Sequence, residues 1–184
     1  RAMRKAILAH ANKCESAAGI RNMLEVLRGR QSIAVDVDAW DHDPLMLNTT
    51  DQTYNLRTGR RHPNRRADLI TRSTSVAAQL ADCPTWRAFL LRIMGGPLVA
   101  PDTAALDAAY ADPANAAAVE MVAFLQRAAG YALTGDTSEQ CMFVHHGAGA
   151  NGKSQFAVAV GGVLGDMAQT TPRETFMKHA GDRH

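Results

Sequence analysis

Between Ser16 and Gly29 the apolar residues Ile20, Met23, Leu24 and Leu27 fall at i, i+3, i+4 and i+7, the spacing of one helical face. Ser16 is placed to cap that helix and Gly29 to stop it. Residues 1–13 set Met3, Ile7 and Leu8 on one side and predict a helix ahead of it. From Asp36 to Gly59 the helical period disappears. Two short apolar runs, Leu45 to Leu47 and Tyr54 to Leu56, are split by polar turn residues and predict a small β-hairpin or a pair of extended segments. The polar stretch "RTGRRHPNRR" that follows predicts a loop.

Helical spacing returns with Trp86, Phe89, Leu90 and Ile93, with Pro84 near the start and Gly95-Gly96-Pro97 as the end. The alanine-rich "LVAPDTAALDAAYADPANAAA", with its prolines, predicts an exposed and weakly packed excursion. Asp112-Pro113 then opens a longer helix carrying Val119 and Val122 and ending near Gly135. Past residue 136 the pattern is strand, glycine loop, helix. "QCMFVHH" is a short apolar run suited to a buried parallel strand. "GAGANGKS" follows, and Phe156, Val160, Val163 and Leu164 then share a helical face. The fold expected is therefore a mainly α N-terminal domain with a small β-hairpin, residues 1–135. Residues 136–184 would open an α/β P-loop ATPase domain, truncated after its first helix.

Composition narrows the class without fixing it. Of 184 residues, 46% are hydrophobic and 21% charged, which is ordinary for a globular chain. Aromatics make up 5% and alanine is abundant, which favours helices. The net charge of +2 does not by itself imply a nucleic-acid partner. Cys14, Cys83 and Cys141 are isolated, which suits a reducing compartment and argues against a disulfide scaffold or structural zinc. No apolar run approaches the ~18 residues of a membrane span. The chain opens on Arg1 and stops at "GDRH", and is expected to be a piece of something larger.

The chemistry lies in residues 147–154. Gly147-x-x-x-x-Gly152-Lys153-Ser154 matches G-x-x-x-x-G-K-[ST] at each fixed position. Backbone N–H groups that curl around a phosphate need φ values that side chains disfavour, hence Gly147, Gly149 and Gly152. The next helix offers its N-terminus to the anion. Lys153 supplies charge to the β- and γ-phosphates and Ser154 a hydroxyl to Mg²⁺. The ATP-binding stretch is thus Gly147, Ala148, Gly149, Ala150, Asn151, Gly152, Lys153 and Ser154, with Lys153 and Ser154 as the catalytic pair. Hydrolysis also needs an acid on a second strand and usually an arginine at the γ-phosphate. After Gly165 the acids are Asp166, Glu174 and Asp182, and none ends a convincing strand. Negligible turnover is therefore expected from this chain alone.

Arg57, Arg60, Arg61, Arg65 and Arg66, with His62, form a basic loop able to grip nucleic-acid phosphates, and a solvated or salt-bridged loop is the competing reading. His145 and His146 read as packing or capping residues rather than metal ligands. Trp86, Phe124 and Tyr131 read as core packing rather than base stacking.

The order "DHDPLMLNTTDQTYNLRTGRRHP…DLIT", "CPTWRAFLLRI", "FLQRAAGYALTGDTSEQCMFVHHGAGANGKSQF", "LGDMAQTTPRETFM" resembles phage and plasmid primase–helicases from about residue 33 onward. These carry a superfamily three helicase, related to the poxvirus primase–helicase, behind a helical N-terminal domain. Asn151 before Gly-Lys-Ser is typical of that class. The resemblance implies an AAA+-type, homo-hexameric ATPase that uses ATP and Mg²⁺ and acts on single-stranded or origin DNA. It also implies a bacterial cytoplasm and a primase domain often upstream. Walker B, sensor and arginine finger would lie beyond His184. Asn55 stands where the family often has an acid, and the stretch from Gly95 to Ala118 is longer than the usual connection. Two other readings compete: a non-hydrolysing DNA-binding or oligomerisation module of a replication protein, and a small P-loop kinase.

Overall fold

The computed structural model describes residues 2–30 and 33–176, so Asp182 and the closing "GDRH" lie outside the described residues. The chain divides into two compact units, Arg1–Trp40 and Asp41–His184.

The first unit carries two helices, α1 (Ala2–Glu15) and α2 (Ala17–Arg28). Ser16 separates them as the sequence predicts. Its hydroxyl accepts the Gly19 N–H at 3.0 Å and donates to the Lys13 carbonyl at 2.7 Å. Neither helix contains a buried residue.

The second unit begins with an antiparallel sheet of three strands, β1 (Met46–Asn48), β2 (Gln52–Asn55) and β3 (Arg61–Pro63), in that order. Leu47 pairs with Tyr54, and Thr53 with His62. The predicted hairpin is present, but the stretch expected to be a loop supplies a third strand. The reason is the Asn55 side chain, whose oxygen accepts the N–H groups of Arg57 and Thr58 at 3.1 and 3.0 Å. That turn reverses the chain and pairs Tyr54 with Arg61.

Four α-helices follow among the described residues. Pro84 occupies the first turn of α3 (Pro84–Ile93), where its missing N–H has no intrahelical use. The stretch expected to be a weakly packed excursion is instead α4 (Thr103–Ala111). Asp102 caps it by accepting the Ala105 N–H at 2.9 Å, and Leu106 is fully buried. Alanine's helix propensity and an Asp cap outweigh the prolines, which stand outside the helix. A 3₁₀ turn at Pro113–Asn115 leads into α5 (Ala116–Ala132). The core gathers Leu90 of α3, Val122 and Leu125 of α5, and Phe156 of α6 (Lys153–Leu164). Trp86, Phe89 and Ile93 flank that cluster.

Residues 141–146 do not form the predicted strand, and all six are exposed. A strand exists only through hydrogen bonds to a neighbour, and among the described residues none pairs with this segment. The far end of α6 is tied down differently. Ser75 donates its N–H to the Val163 carbonyl at 3.1 Å and its hydroxyl to that of Gly162, and the Asp166 N–H reaches the Ser73 carbonyl at 3.3 Å. Between them, the Thr74 N–H bonds the Asn48 carbonyl at 3.0 Å. Residues 73–75 thus link β1 to α6. Among the described residues no helix is long and apolar enough to cross a membrane.

Candidate functional site

The glycine-rich segment leads directly into α6, whose first residue is Lys153. Three loop residues take left-handed φ values: Gly147 (+152°), Ala150 (+59°) and Gly152 (+80°). Gly149 does not, and a Cβ there would meet nothing within 4 Å. The expectation that Gly149 is needed for its φ is therefore corrected. Ala150 carries the unusual conformation that the sequence pattern assigned to a glycine. Gly147 and Gly152 have firmer reasons. A side chain on Gly147 would run into the Asn151 amide, and one on Gly152 would meet Ile93 Cγ2 at 2.6 Å and the Phe89 ring at 3.2 Å.

Lys153 is turned back over the loop. Its Nζ donates to the Gly147 and Ala148 carbonyls at 2.9 and 3.0 Å and to Asn151 Oδ1 at 2.6 Å. Asn151 thereby has a role in the loop itself, holding the ammonium in place. Ser154 is exposed at the start of α6. His145 stands with its ring 5.3 Å from that of Phe156, and both it and His146 are exposed. Among the described residues no group of three His, Cys, Asp or Glu is placed to hold a metal ion.

Among the described residues the acids that follow the loop are Asp166 and Glu174. Asp166 follows the C-terminal end of the twelve-residue α6, roughly 18 Å along the axis from Lys153. Glu174 lies in the 3₁₀ turn Arg173–Phe176. Arg57, Arg60, Arg61, Arg65 and Arg66 are all exposed and surround β3, from the β2–β3 turn to the 3₁₀ turn Arg66–Asp68. The stretch expected to be a basic loop therefore includes β3, with Arg61 in the strand and the other four on either side of it. His62 Nδ1 lies 3.8 Å from Asp68 Oδ2.

Sequence reasoning missed the support beneath the loop. The helix α3 presses Phe89 and Ile93 against Gly152, and Trp86 stacks between Phe89 and Phe156 at centroid distances of 5.2 and 5.9 Å. The start of α3 is fixed in turn by Arg87. This residue bonds Asp82 at 3.2 Å and Asp107 of α4 at 2.6 Å, and lies over the Tyr110 ring. The Thr103 hydroxyl, followed by Arg87, holds the Asp82 carboxyl below the usual carboxylate range. Aromatic spacing in α3 was visible in the sequence, but nothing there indicated which distant segment it would meet.

Residues 1–95, just over half of the chain, match the family model described as D5 N terminal like. The match takes in α1 and α2, ahead of the residue 33 at which the sequence resemblance begins, and it ends before the glycine loop. No curated protein and no solved structure matches the chain. The chain therefore belongs to the D5 N terminal like family, whose domain is associated with the primase–helicase proteins of phage and plasmid replication.

Proposed function

We propose that this chain is part of an ATP-dependent DNA helicase of a phage, prophage or plasmid, with Gly147–Ser154 as its ATP–Mg site. The observation that carries the reading is the coincidence of a complete G-x-x-x-x-G-K-[ST] pattern with a helix that starts at Lys153 and turns Nζ back over the loop. Phosphate oxygens would replace the carbonyl and amide acceptors that Nζ now uses, and the exposed Ser154 hydroxyl would face the metal. Bound Mg²⁺ would neutralise charge on the β- and γ-phosphates. Residues 136–184 would then be the opening of the motor and residues 1–135 the domain ahead of it. In the full protein the motor would be a homo-hexamer working on single-stranded or origin DNA. Hydrolysis also needs an acid on a second strand, and none follows the loop on a strand among the described residues, so binding of ATP without appreciable turnover is expected of this chain alone. Calorimetric titration with ATP–Mg tests the site. Binding is expected in the wild type, to be lost in Lys153→Ala and weakened in Ser154→Ala. Equal heats from all three chains would sink the reading.

A second reading, in which the chain is chiefly a DNA-binding or assembly module, is favoured by the five exposed arginines around β3. It predicts salt-sensitive binding of single-stranded DNA that falls when Arg60, Arg61, Arg65 and Arg66 are replaced by glutamine. Binding that survives those replacements would exclude the basic sheet end as the contact.

A further inference from the structure

The start of the chain is divided in charge. Residues 1–30 hold seven lysines and arginines against two glutamates, a net of +5, whereas residues 31–51 hold five aspartates and no lysine or arginine. Both stretches carry exposed apolar side chains. On α2 these are Ile20, Met23, Leu24, Val26 and Leu27, and beyond it Ile33, Val35, Val37 and Trp40. We propose that the first units of two copies of this chain pair reciprocally, the acidic segment 33–40 of each seated on the basic, apolar face of α2 in the other. The inference is independent of the phosphate-loop reading.

Shape and area are the first argument. A shallow groove of about 470 Å³ runs along α2, lined by Asn22, Met23, Val26, Leu27, Arg30 and Ile33. Val37 and Trp40 stand three residues apart across the 3₁₀ turn Val37–Ala39, a spacing that sets both on one side. That pair offers the groove an aliphatic chain and an indole, and tryptophan is among the residue types that most often anchor such contacts. The segment does not cover its own helix, since α2 has no buried residue and Val37 is 84% exposed. The nine exposed apolar side chains present roughly 900 Å² per copy, against the roughly 800 Å² that one partner gives to a stable interface.

Charge selects the partner. Arg30 stands at the groove, Asp36 and Asp38 stand on either side of Val37, and none of the three has an ion pair among the described residues. A second copy brings the opposite charge to each. Every chain carries both surfaces, so a two-fold pair engages all four, whereas a one-way contact leaves one of each open. Such rim pairs add little energy singly and fix the choice of partner more than the affinity. The interface also bears the ordering cost of two marginal helices, so the pairing is weak and the α2 face stays open in dilute solution.

Sedimentation velocity of the full 184-residue chain over a concentration series tests the proposal. The mass is expected to rise from 19.8 kDa toward twice that value, with a midpoint that moves to higher concentration as salt is added. Val26→Glu and Val37→Glu, both at exposed positions, should each raise the midpoint at least about tenfold. Arg30→Glu alone, or Asp36→Arg together with Asp38→Arg, should weaken the pairing likewise, because like charges then meet at both contacts. An equimolar mixture of those two chains should associate as the wild type does, each copy meeting the complement of its own change. A monomer at every concentration would overturn the pairing, and its sedimentation with phosphatidylglycerol vesicles would assign the face to a lipid surface instead. Weakened variants that mixing fails to restore would overturn it too.

Discussion

Gly152 closes the loop at φ +80° with the Phe89 ring and an Ile93 methyl against its Cα, whereas Gly149 has an ordinary φ and open space around it. The two residues look alike in a motif, and the fold treats them differently. Gly152→Ala adds a left-handed alanine and forces a methyl into α3, and is expected to cost about 2–4 kcal/mol. Gly149→Ala should change stability by no more than about 0.5 kcal/mol, and its effect falls on anion binding instead, where a methyl crowds the approach of phosphate. Urea denaturation of both variants checks the contrast, and equal losses would contradict it. The motif made the loop legible in the sequence, together with Lys153. It did not reveal that Ala150 would carry a left-handed φ or that Asn151 would hold the Lys153 ammonium, because both depend on the closed shape of the loop.

Local signals located helices well where caps and periods agreed, as in α2 with Ser16 and α3 with Pro84. They failed where tertiary contact decides. The alanine-rich stretch carries one large aliphatic residue in α4, Leu106, too sparse a pattern to announce burial, yet that side chain has no exposed surface. Leu106→Ala is expected to destabilise the second unit by about 2–5 kcal/mol in chemical denaturation, the range for a leucine cavity that collapses incompletely. An exposed excursion would show almost no change. The same helix is stapled to α3 through Arg87, Asp82 and Asp107. Because the Asp82 carboxyl is held below its ordinary pKa, chiefly by Thr103, it is charged and bonded in the fold at neutral pH. Its contribution is present above about pH 4, the unfolded carboxylate value, and is lost as pH falls through the lower folded value. Asp82→Asn should therefore melt below the wild type at pH 7, and the gap should close toward pH 3. A gap that persists in acid would show that Thr103 and Arg87 are not its source. The unformed strand at residues 141–146 has the same lesson with opposite sign. Its apolar residues, Met142, Phe143 and Val144, were read from composition, but pairing is a property of two segments.

Across the whole chain the buried core is distributed unevenly, and the family boundary does not follow it. Among the described residues, every buried hydrophobic side chain lies between Leu47 and Phe156. The first unit has helices of 14 and 12 residues with no buried side chain, and Ile20, Met23 and Leu24 of α2 are about half exposed. Helices of this length are marginal in water without packing, since nucleation is costly and few hydrogen bonds follow it. The family match nevertheless runs through both units, from residue 1 to residue 95. Hydrogen exchange followed by mass spectrometry separates the two parts. The amides of α5 around Val122 and Leu125 should exchange only through global unfolding of the second unit, while those of α1 and α2 should exchange through local opening at least about a hundredfold faster. Deleting residues 1–40 should then leave the melting temperature of the remainder unchanged within about 2 °C, since every described buried side chain lies beyond residue 40. Protection in α1 and α2 equal to that in α5 would contradict this account. It would mean that in solution the apolar face of α2 is covered. Protection that rises with protein concentration would identify the cover as a second copy of the chain, whereas concentration-independent protection would place it within the same chain.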